Sequence, residues 1–282
     1  MKVANIQGNA CLILDQHLAC NIADESNGQF GPTMPDLFTQ WEAFSQWAAS
    51  HTPSITFEWN ESELEAVSPR PSQVFAIGLN YDEHSKETGI GINHEFPPVF
   101  PKWASSIANP NGTVSVPEDS HIDWEVELVA IIGQRASNVT RENAMEYVAG
   151  FAVGQDFSDR QLQFIGDAPQ FGLAKSCAGF APVGPYIVTP NELANMGEAA
   201  ITCEVDGVVK QAGTLNQMIF PVADILAILS KIVTLNPGDL VFTGTPSGVG
   251  YARKPQEFLQ PGSCIVSTIE GIGSIQQQVV SR

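Results

Sequence analysis

Basic residues are scarce in this chain. Thirteen Lys and Arg stand against 31 Asp and Glu, a formal net charge of −18 over 282 residues. That balance excludes a nucleic-acid or anionic-membrane surface as its main business. It also makes each isolated cation informative, because an anionic substrate needs local positive charge. Cysteine is sparse too. The five, at 11, 20, 177, 203 and 264, are odd in number and form no Cys-x-x-Cys. They fit buried thiols in a reducing compartment rather than a disulfide framework. No apolar run reaches the ~20 residues that span a bilayer. The first fourteen residues carry Asn5, Gln7 and Asn9 and lack the apolar core of a signal peptide. A soluble, cytoplasmic protein is expected. Absent as well are a Gly-Lys-Ser/Thr phosphate loop, a Gly-x-Ser-x-Gly elbow and a His-Glu-x-x-His zinc helix.

The most informative stretch that is present runs Asp123-Trp124-Glu125-Val126-Glu127-Leu128-Val129-Ala130-Ile131-Ile132-Gly133. It is apolar, rich in β-branched residues and stopped by glycine, which predicts a strand. Alternation puts Glu125 and Glu127 on one face with Val129 and Ile131, and Val126 and Leu128 on the other. Two carboxylates whose Cβ atoms are ~7 Å apart can converge on one hard cation with oxygen ligands. A solvated strand face has the same pattern, and Glu-x-Glu alone leaves both readings open.

The rest of the chain supplies the frame. Ala10 to Leu14 and Leu18 to Ile22 predict a hairpin. Asp36 is a candidate cap for a helix carrying Leu37, Trp41, Phe44 and Ala48. Ser68-Pro69-Arg70-Pro71-Ser72 predicts a linker between a small module, residues 1–70, and a main domain, residues 73–282. That domain opens with a buried strand, Val74 to Gly78. A helix is expected over Arg141 to Val148, and a strand ending in Asp156 follows. A hairpin is expected around Asp206-Gly207 and an apolar helix over Ala223 to Ile232. Strands dominate, so the fold class is β-rich mixed α+β.

Asp156 offers a third carboxylate. Arg160 and Gln163 lie on one face if a helical turn follows it. Lys102 and Lys175 are isolated cations in apolar sequence. His84 and Glu87, spaced by three, share one side of a helical turn in the polar segment Asp82 to Gly91. Few apolar contacts are expected to hold that segment down, so it is a candidate mobile acid–base lid.

The ordered set is specific where its members are weak. Gly78-Leu79-Asn80-Tyr81, His84 and Glu87 come first, then Phe100-Pro101-Lys102 and Asp123-x-Glu125-x-Glu127-Leu128. Asp156, Arg160, Gln163 and Ala174-Lys175-Ser176 follow, then Pro237-Gly238-Asp239 and Thr243-Gly244-Thr245-Pro246-x-Gly248-Val249-Gly250. Over roughly residues 73 to 280 this resembles the fumarylacetoacetate hydrolase family, in particular its short bacterial-type acylpyruvases and 2-hydroxyhepta-2,4-diene-1,7-dioate isomerases. Glu83 stands where short members carry Asp, and Cys177-Ala178 where Phe-Asp is usual.

The resemblance implies a β-sheet roll around the active site, a homodimer, and Mg²⁺ or Mn²⁺ held by Glu125, Glu127 and Asp156. It implies His84, Glu87 and Lys175 as catalytic groups. Asn80, Tyr81, Lys102, Arg160, Gln163 and Thr245 would line the pocket of a small anionic 2-oxo acid. The expected reaction is metal-dependent hydrolysis of a carbon–carbon bond in a 2,4-dioxo acid such as an acylpyruvate or fumarylpyruvate. Decarboxylation of an oxaloacetate-type acid and keto–enol isomerisation share its enolate and stand as alternatives. An inactive structural homologue is the alternative outside enzymes.

Overall fold

The computed structural model describes residues 1–89, 91, 93–117, 119–193 and 195–282. Its centre is the strand Val126–Ile132, buried along its whole length. Both its faces are covered, which its unbroken apolar run requires. On one face Val126, Leu128, Ala130 and Ile132 pack with Ile201, Val205, Ile265 and Ile275. On the other, Val129 and Ile131 pack with Leu37, Phe38, Trp41 and Phe44.

The central strand lies within a large mixed sheet. Val148–Gln155 pairs antiparallel on one side of it and Leu240–Phe242 antiparallel on the other. Val74–Ile77 runs parallel to Leu240–Phe242, and Val99–Pro101 follows it at the edge. In the other direction Val148–Gln155 pairs with Ala181–Val188, and that strand with Lys2–Ile6. The N-terminal strands Asn9–Ile13 and Leu18–Asn21 continue the same sheet as the expected hairpin. A second sheet has the order Val208–Thr214, Ala200–Val205, Cys264–Ile269, Gly273–Ser281 and Asn111–Val116. Its hairpin turns at Asp206 and Gly207, both with positive φ (53° and 75°), as a two-residue turn of the primed type requires. The β-rich mixed α+β class expected from the sequence is what forms.

Several elements differ from expectation. The strand through the two glutamates is broken at Trp124 and Glu125: Ile122–Asp123 pairs with Ser158–Asp159, and the ladder resumes at Val126. Side-chain amides satisfy the gap, Gln155 Oε1 accepting from the Glu125 N–H and Gln211 Oε1 from that of Val126. The helix placed after Asp36 is two helices, Met34–Phe38 and Trp41–Ser50. Thr33 caps the first in a capping box with Asp36, and Gln40 breaks the pair with non-helical dihedrals. Only a 3₁₀ turn, Ala144–Tyr147, forms where a helix was expected from Arg141. The apolar helix spans Val222–Ser230. All five cysteines are free thiols. No helix among the described residues is long and apolar enough to cross a membrane.

Candidate active site

Register builds the site. Glu127 lies opposite Gly154, and the Asp156 N–H donates to the Glu125 carbonyl at 2.9 Å. The carboxyls of Glu125, Glu127 and Asp156 thereby converge, with one oxygen of each within 4.8 Å of the others. All three are buried. Burial pushes the Glu127 carboxyl well above its usual range, and the neighbouring Asp156 and Glu125 push it the same way. On Glu125, burial also opposes the charge, but Lys175 and Arg160 outweigh it and hold the carboxyl down. A cluster with one carboxyl so disfavoured, offering only oxygen donors, fits a hard divalent cation.

The cations around the cluster are committed. Lys175 donates to Glu125 Oε2 at 2.8 Å, Asp156 Oδ2 at 2.7 Å and the Ser158 hydroxyl at 2.7 Å. An ammonium has three donors, so none is left for a substrate in this geometry. Arg160 bridges Asp123, Glu125 and Gln163 through its Nε, Nη2 and Nη1. Asp159 caps the short helix Arg160–Gln163, which turns both side chains inward as their spacing predicts. Lys102 is enclosed behind the triad, bound to Asp156 and to the Lys175 and Phe180 carbonyls.

A cavity of about 310 Å³ opens on the cluster. Glu125, Glu127, Arg160, Gln163, Lys175 and Thr245 form its polar floor, and His84 lies on its wall. His84 and Glu87 sit on the helix Asp82–Thr88, with His84 Nδ1 2.8 Å from Glu87 Oε1. Glu87 also accepts the Gly248 N–H at 2.9 Å. The helix is thus tied to the glycine-rich loop, where the sequence suggested a loosely held lid. Position 90 of that lid segment lies outside the described residues.

Three expected pocket residues lie off the cavity lining: Lys102, enclosed behind the triad, and Asn80 and Tyr81. Asn80 is fully buried, donating to the Phe220 and Thr243 carbonyls and accepting from the Phe220 N–H. It fastens three segments behind the cavity. Tyr81 is also in the core, its hydroxyl without a hydrogen-bond partner among the described residues.

Sequence reasoning also missed two residues. Asp123 accepts from the Gly250 and Tyr251 N–H groups and from Arg160, and so joins the loop to the cluster. Its signal was its place two residues before Glu125. Leu79 lines the cavity with a positive φ of 53°, a left-handed conformation that L side chains adopt at a cost.

Fold, ordered motif and carboxylate cluster together define a fumarylacetoacetate-hydrolase-type protein. The family described as fumarylacetoacetate (FAA) hydrolase C-terminal matches residues 73–280, and the chain belongs to that family. Among its relatives, the human protein named oxaloacetate tautomerase FAHD2A, mitochondrial, is 39% identical over 258 residues, covering 89% of this chain and 82% of that one. An HpcE-like protein of Mycobacterium smegmatis superimposes with a TM-score of 0.94 at 42% identity, over 100% and 99% of the two chains. The fumarylacetoacetate hydrolase of Exiguobacterium antarcticum gives 0.82 at 28% identity, over the whole of both.

Proposed function

We propose that this protein interconverts the keto and enol forms of a small 2-oxo acid. The observation that carries this reading is the cavity itself, which a carboxylate cluster fit for a cation and a paired histidine both border. The tautomerase name of the human relative supports isomerisation over the hydrolysis expected from the sequence. Glu125, Glu127 and Asp156 would hold Mg²⁺ or Mn²⁺, which when bound supplies Lewis-acid polarisation of the 2-oxo group. Lys175 and Arg160 fix the carboxylates that face the cavity: Lys175 spends its three donors on Glu125, Asp156 and Ser158, and Arg160 holds Asp123, Glu125 and Gln163.

With Nδ1–H donated to Glu87, the His84 lone pair sits on Nε2, the nitrogen left to act as base. It takes a proton from the carbon next to the 2-oxo group and returns it to the oxygen, so mass is unchanged. Glu87 stabilises the imidazolium formed between the two transfers. The His84–Glu87 pair also favours a second reading, hydrolysis of a 2,4-dioxo acid, because the same base could activate water.

Incubating Mg²⁺-loaded protein with freshly dissolved enol oxaloacetate and, separately, with acetylpyruvate tests both. Accelerated loss of the oxaloacetate enol absorbance at constant mass is expected. Pyruvate and acetate from acetylpyruvate would instead establish hydrolysis, and carbon dioxide from oxaloacetate decarboxylation. The homodimer remains part of the proposal, and light scattering after gel filtration checks it.

A further inference from the structure

The cavity has two unlike ends. Above the polar floor its wall is made of Leu79, Val99, Phe100, Phe164, Phe171 and Tyr251. The aromatic rings are paired: Phe100 stacks on Phe171 with centroids 5.5 Å apart, and Phe164 on Tyr251 at 5.2 Å. Each pair starts at the floor, since Lys175 Nζ lies 5.6 Å from the Phe100 centroid and the Arg160 guanidinium 5.8 Å from that of Tyr251. Phe164 retains 43% exposure although it lines the cavity, so apolar surface there still faces water.

Charge limits what this wall can meet. In the buried cluster four carboxyls, of Asp123, Glu125, Glu127 and Asp156, face three cations, Lys102, Arg160 and Lys175. A bound dication leaves one net positive charge, enough for one substrate carboxylate. Glu87 adds a negative charge behind His84. No Lys or Arg other than Arg160 and Lys175 lines the cavity among the described residues. A second carboxylate pointing up the wall would meet aromatic faces, whose negative quadrupoles repel it.

Resting on the 2-oxo acid reading of the floor, we infer that the preferred ligand is a monocarboxylic 2-oxo acid with an aryl or branched alkyl group. That group lies between the two ring pairs, and 2-oxo diacids are the poorer class. Calorimetry on the intact Mg²⁺-loaded protein tests this with three 2-oxo acids that cannot enolise: glyoxylate, mesoxalate and phenylglyoxylate. Phenylglyoxylate should bind at least tenfold more tightly than mesoxalate, as burying a phenyl ring provides. Phe164→Ala, a partly exposed position that should not disturb folding, should weaken phenylglyoxylate at least fivefold more than glyoxylate. Phe171→Leu provides a second, milder change in the same direction. Mesoxalate binding as tightly as phenylglyoxylate overturns the inference and leaves the floor reading standing. Failure of all three acids to bind overturns the floor reading itself. Equal weakening of phenylglyoxylate and glyoxylate by Phe164→Ala also overturns the wall's role.

Discussion

Lys175 shows how a residue's type and its role can part. A lone lysine near carboxylates suggests a substrate contact, yet its three donors are spent on Glu125, Asp156 and Ser158. Asp156 and Glu125 hold the lysine's own pKa above its usual value despite burial, which acts against the charge. Removing one partner of a buried charge group typically costs about 3–5 kcal/mol, because the others are left uncompensated. Lys175→Met should therefore lower the Tm of metal-free protein markedly, and saturating Mg²⁺ should restore part of the loss. A variant with unchanged Tm would show that the lysine is not what balances the cluster. Glu127 stands on the other side of this balance. Burial, Asp156 and Glu125 disfavour its carboxyl as a bare anion, and among the described residues the Gly244 N–H at 2.7 Å is its single hydrogen bond. Glu127→Gln keeps the shape and removes the charge, so calorimetry should show Mg²⁺ affinity falling at least a hundredfold. Unchanged affinity would remove Glu127 from the ligand set.

Among the elements, the loop Gly244 to Gly250 does most to assemble the site. Gly244 meets Glu127, Gly248 meets Glu87, and Gly250 meets Asp123, all through backbone N–H groups. At Gly248 φ is +108°, and a Cβ would lie 2.1 Å from the Lys210 carbonyl, so only glycine fits. Gly248→Ala should displace the loop from Glu87 and cut kcat at least tenfold. Mg²⁺ affinity should stay within about threefold, because the carboxylates lie on other strands. Loss of both together would mean that the loop sets the cation site as well.

How much of this the sequence disclosed follows from the range of each interaction. The Glu-x-Glu strand, the Asp206-Gly207 hairpin and the inward turn of Arg160 and Gln163 are local, and periodicity or turn chemistry exposes them. The break at Trp124 and Glu125 depends on Gln155 and Gln211, 30 and 85 residues away from the backbone groups they satisfy. The Glu87 clamp spans 161 residues. No local pattern announces such partners. The family resemblance alone places Asn80 in the pocket, and the long range of its partners hides its role: its amide bridges segments 140 and 163 residues distant.

A second element-scale case lies away from the site. The Glu25 carboxylate ends the short helix Ile22–Glu25 and holds the chain after Trp41–Ser50, accepting from the Ile55 and Ser54 N–H groups and meeting His51 Nε2 at 2.6 Å. Burial acts to raise its pKa, but the Ile55 N–H, His51 and Ser54 outweigh that and lower it below 4.5. A carboxyl with a depressed folded pKa stabilises above its unfolded pKa, and the benefit is lost as pH falls through the folded value. The Tm gap between wild type and Glu25→Gln should be open at pH 6 and close as the pH drops below about 4. A gap independent of pH would show that shape, not charge, is what Glu25 contributes.

For the whole molecule the question is whether residues 1–70 are an appendage. The proline-rich stretch Ser68 to Ser72 suggests a boundary, and the family match begins at 73. Yet Lys2–Ile6 pairs directly with Ala181–Val188, extending the sheet that carries the site. Val3, Leu12, Phe38, Trp41 and Phe44 share one buried cluster with Val129, Ile131, Ala152 and Phe242. A Cβ on Gly133 would lie 2.8 Å from Trp41, and one on Gly238 would lie 3.0 Å from Phe38, so these aromatics seat on backbone of the main domain. Leu37, Phe38, Trp41 and Phe44 cover the face of the central strand opposite the second sheet. Deleting residues 1–70 would expose Val129, Ile131 and Phe242 to water and open Ala181–Val188 as a sheet edge, the usual start of aggregation. The N-terminal segment and the main domain should therefore unfold in one transition, with coincident far-ultraviolet circular dichroism and tryptophan fluorescence. A chain of residues 73–282 should be insoluble or loosely packed and should bind no Mg²⁺. Should it instead stay monomeric, give a sharp unfolding transition and bind Mg²⁺ like the full chain, the first seventy residues are a separable module and the shared cluster is not needed to hold the site.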